Sequence, residues 1–533
     1  MAMLRLILAG LMTGAPAVAQ ADIGHEPPAC NFIFEKSITE LQAMRAADQM
    51  SSATLAECYV DRITQMDRRG PTLRAVIAIS PDWLEQAVAS DKRRNAGKLL
   101  GPLDGIPVLI KDNIETRELP TTAGSLALKD NWTKRDAPVV ALLRAQGAVI
   151  LGKTNLSEWA NIRSTKSMSG WSAVGGLVRN PYALDRTSCG SSSGSGAAVA
   201  ADLAAVALGT ETDGSVVCPS AMNGLVGLKP TLGLVSRTHV VPISHSQDTP
   251  GPMGRTVKDV AILFSAMIGT DPADAATRDA YLHVRDYAAT LSPAALKGAH
   301  IGYWKPEMDA DLAAVFEAAL DKLRAAGAIV TEAKMPKLEG LGDAEFLVLK
   351  AELKADLNAY LATTPPSVKT RTLADVIAFN EANKAAEMPF FGQEIFVDAE
   401  KMKGLDDPAY IAAREKSLRL ASRDGINAMM AQNRVHILVT PTYGTPWLSD
   451  PAHGDQFTGP SASELPAVAG YPHLTVPMGM VDGLPVGLSF IGLPYSDGRL
   501  LEAGYAYEQA AKARVPPSYR ASAPVDLGPR AIK

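Results

Sequence analysis

The stretch from Cys189 to Cys218 constrains the fold more than any other part of the chain. It reads CGSSSGSGAAVAADLAAVALGTETDGSVVC, in which two turns rich in Ser and Gly flank an Ala-rich segment. The Ala-rich segment predicts a buried helix followed by a buried strand. Gly adopts backbone conformations that are closed to other residues, and Ser contributes hydroxyls. Two such turns close together predict a site where backbone amides and hydroxyls converge on a ligand.

Apolar runs and helical spacing alternate along much of the chain. Strands are predicted at 75–79, 105–110, 149–151, 300–303, 436–439 and 487–491. Helices are predicted at 37–47, 53–68, 138–146 and 498–513, with Ser37 and Ser52 as N-caps of the first two. Continuous apolar strands between helices are typical of a sheet that is covered on both faces. We therefore expect an α/β protein with a largely parallel sheet.

The stretch 271–435 differs from its flanks in residue composition and predicted secondary structure. Charged, Ala-rich helical patterns dominate it at 309–326, 340–362 and 409–432. No internal repeat or low-complexity linker separates it from the rest of the sequence. We expect it to be a helix-rich elaboration of one domain that spans 30–520.

The N-terminal segment has the pattern of a secretory signal peptide. Arg5 precedes the apolar run LILAGLMTGAPAVAQ, which is too short to span a bilayer comfortably and contains the small-x-small motif Ala17–Ala19. We expect cleavage after Ala19, so that residues 1–19 lie outside the fold, and export to the periplasm or the medium.

The net charge narrows the range of binding partners. A net charge of −5 over 533 residues, without a basic run, argues against nucleic acid or a membrane surface as the main partner. The oligomeric state stays open, and a monomer is compatible with the sequence.

The sequence does not settle the pairing of its four cysteines, Cys30, Cys58, Cys189 and Cys218, although an oxidising compartment permits disulfides.

Two formal motif matches lack the context that their chemistry needs. Gly147–Thr154 fits the phosphate-loop pattern, but its interior, AVIL, predicts a buried strand instead of a flexible loop. Gly190–Gly194 fits the nucleophile elbow GxSxG, which would make Ser192 a nucleophile, but the loop-like Asn180–Arg186 stands where the elbow needs a strand. The sequence has no HExxH or similar cluster, so we expect no metal.

A series of ordered motifs resembles the amidase signature family along nearly the whole chain, from about residue 36 to about residue 515. The resemblance implies a three-layer α/β/α fold with a central mixed sheet and an amide hydrolase that uses no cofactor. The matching segments, in order, are GPLDGIPVLIKDN (101–113), TTAGS (121–125), GKTNLSEWAN (152–161), NPY (180–182), CGSSSGSG (189–196), GTETDGS (209–215), GLKPT (227–231), SQDTPGPM (246–253) and AGYPHLTVPMG (469–479).

In that family a Ser/Ser/Lys triad performs the chemistry, and the motifs transfer it to three residues here. Ser215, the last residue of GTETDGS, corresponds to the nucleophile, and Ser191, the first Ser of CGSSSG, to the serine that relays its proton. Lys111, at the end of IPVLIK, corresponds to the base. The resemblance also implies a cis peptide bond at Gly190–Ser191. It further implies an oxyanion hole formed by the backbone amides of Thr212, Asp213, Gly214 and Ser215.

The residue types suit this chemistry. A serine hydroxyl becomes a good nucleophile when a base takes its proton. Lysine can be that base only when burial keeps it neutral, and Lys111 ends a strand that is predicted to be buried. Ser191 can relay a proton because a hydroxyl donates and accepts at once. Backbone amides can stabilise the charge that develops on the attacked carbonyl oxygen.

Departures from the family pattern indicate the substrate class. Many relatives carry Arg two positions after the nucleophile, where Val217 stands here, and a neutral wall disfavours substrates with a free carboxylate. With SEWANIRST (157–165) and the signal peptide, the chain looks most similar to the secreted peptide amidases, which convert C-terminal peptide amides to the acid and ammonia. Asp213 replaces a family Gly, and we expect it to contact the substrate amide.

Three other functions stay open from the sequence. The first is a broad aliphatic or aryl-acyl amidase of the same family. The second is a glutamine-hydrolysing amidotransferase subunit for tRNA charging, against which the acidity, the export signal and the missing Arg all speak. The third is an exported binding protein without catalysis, against which the intact Lys111, Ser191 and Ser215 speak.

Overall fold

An eleven-stranded mixed sheet organises the computed structural model, which describes residues 30–457 and 459–523. The predicted signal peptide, 1–19, lies outside the described residues. The strands are β1 (Val76–Ile79), β2 (Pro107–Lys111), β3 (Val149–Thr154), β4 (Trp171–Ser172), β5 (Gly176–Leu177), β6 (Val206–Glu211), β7 (Val226–Lys229), β8 (Thr249–Gly254), β9 (His300–Tyr303), β10 (Ile329–Glu332), β11 (Ile437–Pro441), β12 (His473–Val481) and β13 (Leu484–Ile491).

Helices surround this sheet. They are α1 (Ile38–Ala46), α2 (Ser52–Arg62), α3 (Trp83–Asn95), α4 (Pro138–Ala145), α5 (Ser193–Ala200), α6 (Val217–Met222), α7 (Val257–Ser265), α8 (Ala310–Ala325), α9 (Leu341–Ala362), α10 (Leu373–Ala382), α11 (Lys384–Glu387), α12 (Glu394–Glu400), α13 (Pro408–Arg419), α14 (Ala428–Asn433), α15 (Glu464–Ala469) and α16 (Asp497–Ala511). Among the residues that the structure describes, no helix is both long and apolar enough to cross a membrane.

The strand order is β1-β3-β2-β6-β8-β7-β12-β13-β11-β9-β10, and β4 pairs with β5 in a separate small sheet. Parallel pairs join β3, β2 and β6 near one end and β11, β9 and β10 at the other. The remaining pairs of the large sheet are antiparallel. The predicted mixed sheet is confirmed, and β9 and β10, from the helix-rich stretch, extend it. The sheet is less parallel than expected, since six of its ten strand pairs are antiparallel and the four parallel pairs lie in the two groups named above.

The sheet lies between two layers of helices. Successive side chains of a strand point to opposite faces. On β12, Leu474 and Val476 lie against Gly504 of α16, whereas Thr475 shares the other face with Ala221 of α6. The expected α/β/α layering is therefore confirmed.

Local sequence signals account for several element boundaries. Asp482-Gly483 joins β12 to β13 with φ angles of 51° and 73°, the left-handed pair that a two-residue hairpin turn requires. Ser37 caps α1 in a capping box, as predicted. The prediction for the next helix was wrong by one residue, because Ser51 accepts from Thr54 N–H and is the N-cap, while Ser52 is already helical.

The Ala-rich segment between the two Ser/Gly turns forms a buried helix and a buried strand, as predicted. Every residue of α5 and of β6 is buried. Side chains as small as Ala, Ser and Gly let α5 pack closely against β6 and its neighbours. This packing sets the distance between the turn that begins at Cys189 and the turn that ends at Cys218.

Candidate active site

Lys111 lies at the end of β2, a strand in which every residue is buried. Its Nζ is 2.8 Å from the Ser191 Oγ, 2.8 Å from the Thr210 Oγ1 and 3.2 Å from the Thr210 carbonyl oxygen. The strands β2 and β6 are parallel neighbours, so their carboxyl ends lie side by side. The structure thus brings together Lys111 and Ser191, which lie 80 positions apart in the sequence.

The surroundings of Lys111 favour the neutral amine near physiological pH. Burial lowers the pKa of Lys111 to about 7, although the nearby charges of Asp248 and Glu211 favour the ammonium form. A lysine with a pKa close to neutrality can accept a proton from a hydroxyl and return it later. This is the property that a catalytic base requires.

The two Ser/Gly turns touch each other. The Ser192 N–H donates to the Ser215 carbonyl oxygen over 3.1 Å, which sets the turn of Ser191 against that of Ser215. The Gly190–Ser191 peptide bond is cis, as the family resemblance implies. Ser192 is buried, and its Oγ bonds both the N–H and the carbonyl of Thr210 at 3.1 Å. Its hydroxyl is thus committed to the backbone, which argues against the nucleophile-elbow interpretation.

Ser215 lies on the short loop between β6 and α6. A carboxylate oxygen of Glu211 accepts from the backbone N–H groups of Val216 and Val217 at 2.7 and 2.9 Å, which anchors the start of α6. Gly214 has a φ of 78°, and a Cβ there would collide with the Tyr443 hydroxyl, so only Gly fits.

The loop before α6 presents unpaired donors. Within the described chain, no hydrogen bond from the backbone N–H of Asp213, Gly214 or Ser215 to the protein is present. Backbone N–H groups without an internal acceptor can stabilise a ligand oxygen that gains negative charge. The backbone N–H of Thr212, the fourth predicted member, likewise donates no hydrogen bond within the described residues, while its side-chain hydroxyl donates to Asp248 over 2.6 Å.

A cavity of about 260 Å³ opens in front of this loop. Ser215, Gly190, Thr212 and Asp213 form its polar end. The remaining lining is largely apolar or aromatic and includes Ala160, Ile162, Ile243, Leu349, Tyr443, Trp447 and Phe457. A larger cavity of about 480 Å³, bordered by Trp304 and Glu464, contains none of the predicted catalytic residues. The geometry therefore places the candidate site in the smaller cavity.

Asp213 faces this cavity beside a second carboxyl group. Its Oδ1 is buried and accepts no hydrogen bond in the described part of the chain. Burial raises the pKa of Asp213, while burial and the charge of Asp213 hold the pKa of Glu345 well above its usual range. Both shifts have the same origin, since burial and a neighbouring carboxyl group disfavour ionisation. The Asp213 Oδ1, which has no partner among the described residues, can accept a hydrogen bond from a ligand.

Other polar groups that the sequence analysis considered have structural partners. Lys153, in the phosphate-loop match, lies within the buried strand β3 and pairs with Asp112 at 2.9 Å. In the described ranges, one group of side chains, His245, Glu352 and Asp356, has metal-ligand types close together. The Glu352 oxygens already accept hydrogen bonds, from Ser244, Ser246 and Tyr410, so this group joins the loop before β8 to α9.

The structure pairs the cysteines that the sequence left open. One disulfide joins Cys30 to Cys58, and the other joins Cys189 to Cys218. Cys189 lines the cavity, whereas Val217 is fully buried in α6 and does not line it. The prediction of a neutral wall at Val217 was therefore wrong about that side chain, which is buried inside α6 and does not face the cavity.

We expect the two disulfides to contribute differently to activity. The Cys189→Ser/Cys218→Ser double variant should lose about tenfold in kcat/KM, because the turns of Ser191 and Ser215 lose their covalent link. The matched Cys30→Ser/Cys58→Ser variant should lower the melting temperature, since a disulfide contributes about 2–4 kcal/mol, but keep kcat/KM within about twofold. Equal kcat/KM in the two double variants, measured well below their melting temperatures, would contradict this expectation.

Comparison with known proteins assigns the family. The amidase family model matches residues 54–501, and the chain therefore belongs to the amidase family of amide hydrolases. It is 39% identical over 499 residues to a probable amidase of Arabidopsis thaliana, which covers 91% of this chain and 92% of the relative. The native peptide amidase of Stenotrophomonas maltophilia has a similar structure, with a TM-score of 0.88 and 49% identity over 91% of this chain and 99% of that one. A glutamyl-tRNA(Gln) amidotransferase subunit of Symbiobacterium thermophilum is 36% identical over 492 residues, covering 89% of this chain and 97% of the relative.

The motif resemblance is thereby confirmed, and the fold agrees with it. Several residues around the site were not predicted from the sequence. Asn113 and Thr210, which bond each other at 2.9 Å beside the Lys111 amine, lie inside quoted motifs and could have been noted there. Glu345 lies in an Ala-rich helix, and its sequence context carries no signal of proximity to the site.

Proposed function

We propose that this protein hydrolyses C-terminal peptide amides to the free acid and ammonia. The observation that carries the proposal is the contact of Lys111 Nζ with Ser191 Oγ at 2.8 Å, on a turn that touches the turn of Ser215. Acyl transfer needs a base, a group that relays the proton and a nucleophile. Here these are the Lys111 amine, whose pKa lies near neutrality, the Ser191 hydroxyl and the Ser215 hydroxyl in the open cavity.

The reaction is R–CO–NH2 + H2O giving R–COOH + NH3. The Ser215 Oγ attacks the amide carbon while its proton passes through the Ser191 hydroxyl to the Lys111 amine. The oxyanion receives hydrogen bonds from the backbone N–H groups of the loop 212–215. The proton returns along the same path to the leaving nitrogen, ammonia departs, and water then releases the acid from the Ser215 ester.

The lining of the cavity suits a substrate whose primary amide is attached to a peptide. The acceptor oxygen of Asp213 can receive an N–H of the carboxamide, whereas the described lining residues include no Lys, Arg or His that could pair with a carboxylate at the same position. Aromatic walls, including Trp447 and Phe457, suit an apolar side chain next to the amide. The solved peptide amidase with 49% identity adds support from a relative. We also propose that the chain is exported, on the pattern of residues 1–19.

A panel of peptide amides tests the reaction. After incubation with the protein, mass spectrometry should find each peptide converted from the terminal amide to the acid with its internal bonds uncut. A simple aromatic amide, benzamide, run beside the panel separates a peptide amidase from a broad aryl-acyl amidase. Faster turnover of benzamide than of every peptide amide would replace our proposal with that second candidate.

The similarity to amidotransferase subunits supports a different activity and needs its own test. Those subunits take ammonia from glutamine, a substrate with a free carboxylate. We expect no glutamine hydrolysis above background, because Asp213 and the disulfide face the cavity where a cation would have to pair with that carboxylate.

A further inference from the structure

A left-handed turn borders the same cavity as the loop with the unpaired N–H groups. In the segment Glu158–Asn161, three successive residues other than Gly have positive φ angles: 51° at Trp159, 53° at Ala160 and 77° at Asn161. Such angles are uncommon for single residues with a side chain, and Asn tolerates them best. Three in a row require that the surroundings impose the conformation.

The contacts on both sides of the turn supply that constraint. The Trp159 N–H donates to the Ala123 carbonyl oxygen over 2.9 Å, and the Trp159 ring packs edge-on against Phe396 at 5.9 Å. Arg163, fully buried, forms ion pairs with Glu158 and with Glu387. The turn is thus held in one shape before any ligand binds.

The turn contributes a polar side chain, Asn161, to the lining of the same cavity as Ser215. Ala160, Asn161 and Ile162 all line it. In the parts of the chain that the structure describes, the Asn161 side chain has no hydrogen-bond partner. A preformed turn with an uncommitted carboxamide is a feature of a binding site.

The other polar side chains of the cavity are already engaged. Asp455 accepts from Ser169 and from the Trp447 indole, and the Tyr443 hydroxyl bonds Ser463 at 2.6 Å. Besides Ser215, only Asp213 and Asn161 keep free bonding capacity among the described lining residues. The two differ in chemistry, since a carboxylate only accepts, whereas a carboxamide both donates and accepts.

We propose that Asn161 binds the peptide group that precedes the amidated residue of the substrate. Its carboxamide would donate to the carbonyl oxygen and accept from the N–H of that group, a pairing that a simple amide cannot make. This inference rests on the proposed peptide amidase function and names its specificity-determining residue. Asn161 acts on binding and takes no part in proton transfer.

The Asn161→Gly variant tests this role without disturbing the turn, because Gly adopts a φ of 77° at no steric cost. For an N-acetylated dipeptide amide, KM should rise about tenfold with kcat nearly unchanged, as expected for the loss of a hydrogen-bonded contact made in both ground and transition states. For benzamide, kcat/KM should stay within about twofold. Asn161→Asp, which keeps the acceptor and loses the donor, should give an intermediate KM.

The matched control is Ala160→Gly, which introduces Gly into the same turn at a φ of 53° and removes no polar group. Because Ala160 also lines the cavity, any change that this variant causes should be equal for the two substrates. An unchanged KM for the dipeptide amide in Asn161→Gly overturns the inference alone. Equal losses on both substrates, or equal losses in Asn161→Gly and Ala160→Gly, also overturn it, because the turn would then act only through its shape. A parent enzyme that hydrolyses benzamide but no peptide amide overturns the proposed function itself.

Discussion

Replacing Ser215 by Ala should abolish turnover, with kcat falling by at least about 10⁴-fold, while the protein stays folded. Ser215 lies at the polar end of the cavity, beside N–H groups that have no acceptor in the described chain. In the proposed mechanism its Oγ is the atom that forms the ester. Three other hydroxyls line the described part of the cavity, and each is already bonded: Ser169 to Asp455, Thr212 to Asp248 and Tyr443 to Ser463. Ammonia release from a peptide amide measures kcat, and thermal unfolding of both proteins shows whether the fold is intact.

A serine-reactive phosphonate gives an independent readout of the same prediction. The parent protein should be labelled on Ser215, and Ser215→Ala should not be labelled. The matched control is Ser192→Ala, because Ser192 would be the nucleophile of the elbow motif and its hydroxyl is bonded to Thr210. Full activity in Ser215→Ala, or loss of labelling only in Ser192→Ala, would refute the assignment. A parent that is not labelled at all would favour the binding protein without catalysis.

Local patterns predicted the parts of the fold that depend on neighbouring residues. The spacing of apolar residues predicted the buried strand before Lys111, and the Ala-rich composition predicted α5 and β6. These features follow from backbone propensity and burial within one segment. The one-residue error at Ser52 arose because Ser51 and Ser52 are equally good caps by composition, and only the bond to Thr54 N–H distinguishes them.

Residues from distant segments could not be placed in the same way. Asp248, next to β8, and Glu345, in α9, lie close to the loop 212–215. The spacing of residues around them in the sequence does not predict this proximity. Asn161 was quoted within a motif, but its left-handed conformation depends on Ala123, Phe396 and Glu387, from three separate segments. The disulfide pairing was open for the same reason. The catalytic roles of Lys111, Ser191 and Ser215 stay predictions until their variants are measured.

The environment of Lys111 combines opposing effects, and their balance determines its chemistry. Burial disfavours the ammonium form, while Asp248 and Glu211 favour it, and the result is a pKa of about 7. The charges of the two carboxylates keep the pKa of Lys111 from falling further, and without burial the amine would stay charged at neutral pH. The parent's kcat/KM should therefore fall as the pH decreases through about 7, since protonated Lys111 cannot accept a proton.

Replacing Lys111 by Ala should lower kcat by about 10³-fold at about pH 8 and remove the acid limb of the pH profile. Ser191→Ala should lower kcat less, because water can take the place of the relay hydroxyl.

Glu211→Gln tests the effect of the Glu211 charge on the pKa of Lys111. The amide oxygen of Gln can still accept from the Val216 and Val217 N–H groups, while the charge is lost. Loss of that charge lowers the pKa of Lys111, so the acid limb should move to lower pH with the plateau rate largely kept. An acid limb that persists in Lys111→Ala would assign the titration to another group, and activities of Lys111→Ala, Ser191→Ala and Ser215→Ala equal to the parent's would disprove the relay.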